Sequence, residues 1–88
     1  MLRGMTRPEI EVLIIEALKR ASVRPIAPTP TSDLIADLGL DSVQILEAVA
    51  ELEDRFDLTV ATADLARFKT VADAATYLED AVAARGRA

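Results

Sequence analysis

The stretch Asp41-Ser42-Val43-Gln44-Ile45-Leu46-Glu47-Ala48-Val49-Ala50-Glu51-Leu52-Glu53-Asp54-Arg55-Phe56 decides the fold class. Ile45, Val49, Leu52 and Phe56 recur at steps of four, three and four, the spacing of one buried helix face. Asp41 and Gln44 have capping-box spacing, so Asp41 is the expected N-cap with Gln44 reaching back to it. Ser42 then takes the first helical position, with its hydroxyl free of capping duty and pointing outward. The helix is expected to end near Phe56-Asp57.

The other face of that helix is the informative one. Val43, Leu46 and Ala50 form a second apolar track, flanked by Glu47, Glu51 and Asp54. A helix buried on two sides would not place acids between its apolar residues, and a fully solvated face has little reason to carry Val and Leu. The track is therefore expected to be an apolar-and-acidic docking surface.

Working outward, Thr6-Arg7-Pro8-Glu9 combines a capping Thr, an early Pro and a Glu three residues past the cap. Ile10, Leu13/Ile14 and Ala17/Leu18 follow at helical spacing, predicting a first helix over about 7–21. Pro25, Pro28 and Pro30 exclude helix from the next segment, a long loop expected to be anchored by Val23 and Ile26. A short turn with Leu34, Ile35 and Leu38 leads to Gly39, a natural break. Beyond Phe56, Leu58 and Val60 are expected to anchor a loop. A helical turn follows over 62–68 with Thr62 as its cap. A last helix is capped by Thr70 with Asp73, facing the core with Val71, Ala74/Ala75, Leu78 and Val82. The tail Arg85-Gly86-Arg87-Ala88 is expected to fray. The fold class is all-α: a small four-helix bundle with three main helices, one short helix and a long first loop.

Composition agrees with this and excludes much else. Eighty-eight residues leave room for one domain, 1–88, ordered over about 6–82. Half the residues are hydrophobic, yet 16 are alanine and only Phe56, Phe68 and Tyr77 are aromatic, which suits close-packed helices rather than a β-sandwich. The chain has no Cys and no His, which removes disulfides, thiol nucleophiles, the usual zinc ligands and the commonest general base. An enzyme is not expected. The longest apolar stretch, Val12 to Leu18, is short and broken by Glu16, so membrane insertion is not expected and the cytoplasm is the expected location. Eight arginines to two lysines, with high alanine, point to a GC-rich bacterial genome.

The net charge of −5 is local. Residues 1–32 carry five basic and three acidic groups (+2), residues 65–88 four and three (+1), and residues 33–64 nine acids against Arg55 alone (−8). Nucleic acid and anionic membranes carry the wrong sign for this protein. A basic protein partner carries the right one.

Ser42 sits at the positive end of a helix dipole, just after the Gly39 turn. A phosphate attached there would be stabilised by the dipole and by free backbone N–H groups. As a nucleophile the same serine is poorly placed, lacking a histidine and surrounded by carboxylates that would oppose an oxyanion. On the residues alone, a plain capping serine remains open.

Asp37-Leu38-Gly39-Leu40-Asp41-Ser42-Val43, the acidic helix ending in Glu53-Asp54-Arg55-Phe56, then Leu58-Thr59-Val60, the turn to Phe68 and Thr70-Val71-Ala72-Asp73 resemble the acyl carrier protein family. The resemblance runs from roughly Ile10 to Leu78 and implies a four-helix bundle. It also implies that Ser42 receives 4′-phosphopantetheine from coenzyme A through a separate, Mg-dependent phosphopantetheinyl transferase. The thiol of the arm would then carry acyl intermediates as thioesters between enzymes of fatty acid, polyketide or specialised lipid synthesis. By position, Asp41, Glu47 and Asp54 match acids that meet basic docking patches on partner enzymes, and Val43 stands where leucine is usual. With Leu46, Ala50 and Glu51 they form the implied partner-binding face. Val43, the charge at Glu51 and the proline-rich first loop depart from the family's pattern and imply a specialised partner set. A stand-alone, monomeric acyl carrier is the expectation. An aminoacyl or peptidyl carrier would show a second glycine before the serine and less acidic helices. An unmodified acidic adaptor would carry no arm. A calcium-binding helix-loop-helix is excluded, because Asp33, Asp37 and Asp41 lack its alternating ligand spacing.

Overall fold

Each long helix begins at a side chain that closes its own first turn. In the computed structural model, which describes residues 5–86, these are α1 (Arg7–Ala21), α2 (Ser42–Phe56) and α4 (Val71–Gly86), with a short α3 (Thr62–Leu65) between the last two. The Glu9 amide donates to Thr6 Oγ1 (3.3 Å) while Glu9 Oε1 accepts from the Thr6 amide (2.8 Å). Asp41 and Gln44 make the same reciprocal pair at 2.8 and 2.9 Å, and Thr70 and Asp73 at 3.1 and 3.0 Å. All three predicted caps form, so the boundaries follow from local chemistry. The fourth does not. Thr62 lies inside α3, whose N-cap is Ala61 with no side-chain bond. What holds this short helix is tertiary: the Tyr77 hydroxyl donates to Asp64 (2.9 Å), and Phe68 packs edge-on against Tyr77 at 5.3 Å.

α1 packs against both α2 and α4. Ile10, Ile14, Ala17 and Leu18 of α1 meet Ala48, Leu52 and Phe56 of α2 and Val71, Ala75 and Leu78 of α4 in one core. Ala17 and Ala75 are completely buried, and their small side chains let the helices approach closely. Ile45, expected in the core stripe, is only half-buried one turn into α2, and Ala48 takes a buried place not anticipated from spacing. The helical track of α4 extends through Gly86, past the start of the expected frayed tail. The remaining expected frayed ends, residues 1–4 and 87–88, lie outside the described residues.

The long loop from 22 to 40 is sewn to the start of α4. Leu34 donates to Lys69 O (2.9 Å), Val71 to Ser32 O (3.3 Å) and Ala72 to Pro30 O (2.9 Å). The loop carbonyls thus engage amides that a helix N-terminus leaves without intrahelical partners. Leu34, Leu38 and Leu40 enter the core from this loop and Ile26 packs against it. Val23, expected as an anchor, is 89% exposed instead. The Ser22 hydroxyl bonds both the amide and the carbonyl of Arg24, forming a local turn around Val23.

Asp33 organises the loop's last turn. Its Oδ1 accepts from the amides of Ala36 (2.7 Å) and Ile35 (2.9 Å), and Lys69 Nζ lies 3.8 Å from Oδ2. The Ala36 amide bond, followed by the Ile35 amide and the Lys69 charge, holds the carboxyl below its ordinary value of 3.8 despite opposing desolvation. A folded-state pKa below the unfolded one means that the folded form binds fewer protons. Its stabilisation is present above the unfolded pKa and is lost as pH falls through the folded one. Asp33→Ala is therefore expected to lower the thermal midpoint at neutral pH, with the gap to wild type closing as pH drops below the ordinary carboxylate value; circular dichroism melts across pH check this. Phe56 is 1% exposed at the centre of the core, and Phe56→Ala is expected to cost about 3–5 kcal/mol in urea unfolding.

Candidate functional site at the start of α2

The chain enters α2 through a left-handed glycine. Gly39 has φ +69°, its amide donates to Ile35 O (3.0 Å), and the next amide, of Leu40, donates to Leu34 O (3.1 Å). A Cβ added at Gly39 would sit 2.6 Å from Arg24 Nη2, so the guanidinium of the first loop lies directly over this glycine. Leu40 then turns into the core, 3% exposed, and leaves Asp41 and Ser42 on the surface.

Asp41 caps the helix, which frees Ser42. The Ser42 hydroxyl makes no hydrogen bond to any described residue, and the amides of Ser42 and Val43 have no partner among them either. An exposed hydroxyl beside two free N–H groups at the positive end of a 15-residue helix favours a covalently attached phosphate. Nothing equips it for nucleophilic catalysis, since the chain has no His or Cys and Asp41 is engaged by the Gln44 amide. No cluster of potential metal ligands occurs among the described residues.

Beyond Ser42 the outer face of α2 carries Val43 (61% exposed), Leu46 (50%), Ala50, Glu47 and Asp54, all exposed. Glu47 and Asp54 have no ion-pair partner among the described residues. Glu51 departs from the expected face. At 100° per residue it falls about 80° from the direction of Asp54 and Ala50, on the flank of Ala48. There Arg20 of α1 grips its carboxylate through both Nε and Nη2, holding the Glu51 carboxyl below its usual value. Glu53 is also engaged, its Oε2 accepting from the Val60 amide (2.7 Å) to clasp the loop after α2. The acids of this helix thus divide into two that hold the fold and two that are free.

One exposed apolar residue near the site was not legible in the helix pattern. Ile35 is 64% exposed, because Leu34 and Leu38 occupy the inward side of its turn and Asp33 takes its amide. Its offset of one from the Leu34/Leu38 pair is the only signal in the sequence. Inside the bundle, Ile45, Val49 and Phe68 line a narrow apolar cleft. The cleft encloses only about 20 Å³, room for roughly one water-sized sphere.

Comparison with known proteins agrees with this geometry. A family described as the phosphopantetheine attachment site matches residues 9–78. An acyl carrier protein from Bdellovibrio bacteriovorus is 39% identical over 72 residues, covering 82% of this chain and 88% of the relative. One from an Exiguobacterium species is 34% identical over 76 residues, covering 85% and 96%. Among solved structures, a protein of Mycobacterium tuberculosis described as an acyl carrier protein superposes with a TM-score of 0.73 at 31% identity, over 81% of this chain and 96% of its own. Another from Anaplasma phagocytophilum, at 24% identity, shares the fold with a TM-score of 0.74, over 90% and 94%. The group this family carries is 4′-phosphopantetheine, and the free, exposed serine with two open amides is a site that fits its phosphate. No helix among the described residues is long and apolar enough to cross a membrane. The chain belongs to the acyl carrier protein family of phosphopantetheine-bearing, non-catalytic carriers.

Proposed function

We propose that Ser42 is the attachment point of the arm and that this protein carries acyl intermediates of fatty acid, polyketide or specialised lipid synthesis as thioesters. The observation that carries this reading is the division of labour at the start of α2: Asp41 and Gln44 cap each other, leaving the Ser42 hydroxyl unbonded and exposed. When attached, 4′-phosphopantetheine supplies the thiol that the sequence lacks. The residues of the chain do the rest. Ser42 Oγ forms the phosphoester, the amides of Ser42 and Val43 and the helix dipole favour its negative charge, and Gly39 sets the angle at which the chain enters the helix. The acyl reading is favoured over an aminoacyl or peptidyl carrier by Leu40-Asp41 before the serine and by the −8 segment.

Docking belongs to the outer face of α2. Val43, Leu46 and Ala50 offer apolar area, and Asp41, Glu47 and Asp54 offer the negative potential that steers a basic patch, whether on the phosphopantetheinyl transferase or on an acyl-handling enzyme. Glu51 contributes to that potential only as half of a pair with Arg20. A monomer working in the cytoplasm fits a carrier that must present this face to several enzymes in turn.

Incubation with coenzyme A, Mg²⁺ and a promiscuous phosphopantetheinyl transferase is expected to add the mass of one arm, and Ser42→Ala to abolish the addition. An unmodified wild type would overturn the carrier reading. The double variant Glu47→Lys, Asp54→Lys is expected to slow association with the transferase on the order of tenfold at low salt, with the difference shrinking as ionic strength rises. A loss that ignores salt, measured by stopped-flow binding, would remove these two acids from the docking face.

A further inference from the structure

The sequence separates a mildly basic first third from the acidic middle, but the fold brings cations across that divide, Arg20 onto Glu51 and Arg24 onto the turn before Ser42. Arg24 lies in the first loop, and its guanidinium rests over Gly39, three residues before Ser42. Three residues of chain span at most roughly 10 Å, within reach of a long, flexible arginine. The contact depends on Gly39 having no Cβ, so the residue that turns the chain into α2 also makes room for the cation.

Among the described residues this exposed guanidinium has no hydrogen-bond or ion-pair partner. The side chains of Arg7, Arg20, Arg67 and Lys69 all have carboxylate partners, whereas Arg24 has none within ion-pair distance among the described residues. The carboxylate that shares its shallow depression, Asp37, is turned toward its own loop and accepts from the Asp33 amide at 2.7 Å. A phosphodiester at Ser42 would add one more negative charge to a segment that already carries −8. Unpaired, planar and bearing five donors, a guanidinium suits two phosphate oxygens at once.

Building on the assignment of Ser42, we propose that Arg24 is the ion-pair partner of the phosphodiester there, a positioning residue that holds the root of the arm and offsets repulsion from Asp37 and Asp41. The amides of Ser42 and Val43 approach the phosphate from the helix side and Arg24 from the loop side. Loading the arm therefore tightens the first loop onto the start of α2.

The test compares apo and holo forms of wild type, Arg24→Gln and Arg24→Lys by NMR. In wild type the Arg24 Nε–H resonance is expected to shift and its exchange with water to slow when the arm is attached, while that of Arg55 stays in place. The ³¹P resonance of the holo protein is expected to differ between wild type and Arg24→Gln, with Arg24→Lys between them and the difference shrinking at high salt. The gain in thermal midpoint from apo to holo should be a few degrees smaller in Arg24→Gln. An Arg24 resonance indifferent to loading, or equal ³¹P shifts with apo and holo midpoints lowered equally, would overturn the proposal and leave Arg24 a structural residue. Failure of Ser42 to take the arm at all, seen by mass, overturns this proposal together with the carrier reading. Normal loading without an Arg24 response overturns this proposal alone. Should Arg24→Gln fail to fold, the wild-type apo-to-holo comparison decides by itself.

Discussion

The carboxylate of Asp41 holding the amide of Gln44 is the interaction on which the working half of the molecule depends. It starts α2 at Ser42 and fixes the angular position of every later residue on that helix. It also satisfies the cap with a neighbour, so the serine is not needed for it. Were the serine itself the cap, its hydroxyl would be engaged and turned back to the helix. With Asp41 as cap, the same local sequence leaves a hydroxyl and two amides facing solvent. Gly39 and Leu40 complete the arrangement, one by turning the chain and the other by anchoring it in the core.

Charge in this protein is sorted by geometry. The middle segment holds nine acids, but they do different things. Asp33 and Asp41 receive backbone amides, Glu53 clasps the loop after α2, and Glu51 and Asp64 hold α1 and Tyr77 respectively. Glu47 and Asp54 stay unpaired on the outer face of α2, where a charge can act at a distance on an approaching partner. An acid paired within the fold projects a weaker field than its formal charge implies. The field that α2 projects outward therefore comes from fewer groups than a count provides.

The core explains why such a charged segment holds its shape. α1 lies against both α2 and α4, and buried alanines allow these helices to pack closely. The proline-rich loop is fastened to the first turn of α4 by two backbone hydrogen bonds and to Lys69 just before it by a third, and carries three leucines into the core. The apolar cleft beside Ile45 and Phe68 has room for about one water-sized sphere.

Much of this was legible one residue at a time. Caps at Thr6, Asp41 and Thr70, the breaks at the prolines and Gly39, the exposed track of Val43, Leu46 and Ala50, and the free hydroxyl of Ser42 are local consequences of spacing and side-chain chemistry, set within a turn or two of each residue. Other features depend on what arrives from elsewhere in the chain. Glu51 reads as a docking acid until α1 brings Arg20 to it, Val23 reads as an anchor until the Ser22 turn exposes it, and α3 reads as self-capped although Tyr77 of α4 holds it. Arg24 belongs to a basic third of the sequence and comes to rest over the acidic one. Helical period and capping are short-range properties that the sequence by itself determined. Which charges stay free and which are paired is a long-range property, decided only when the helices packed.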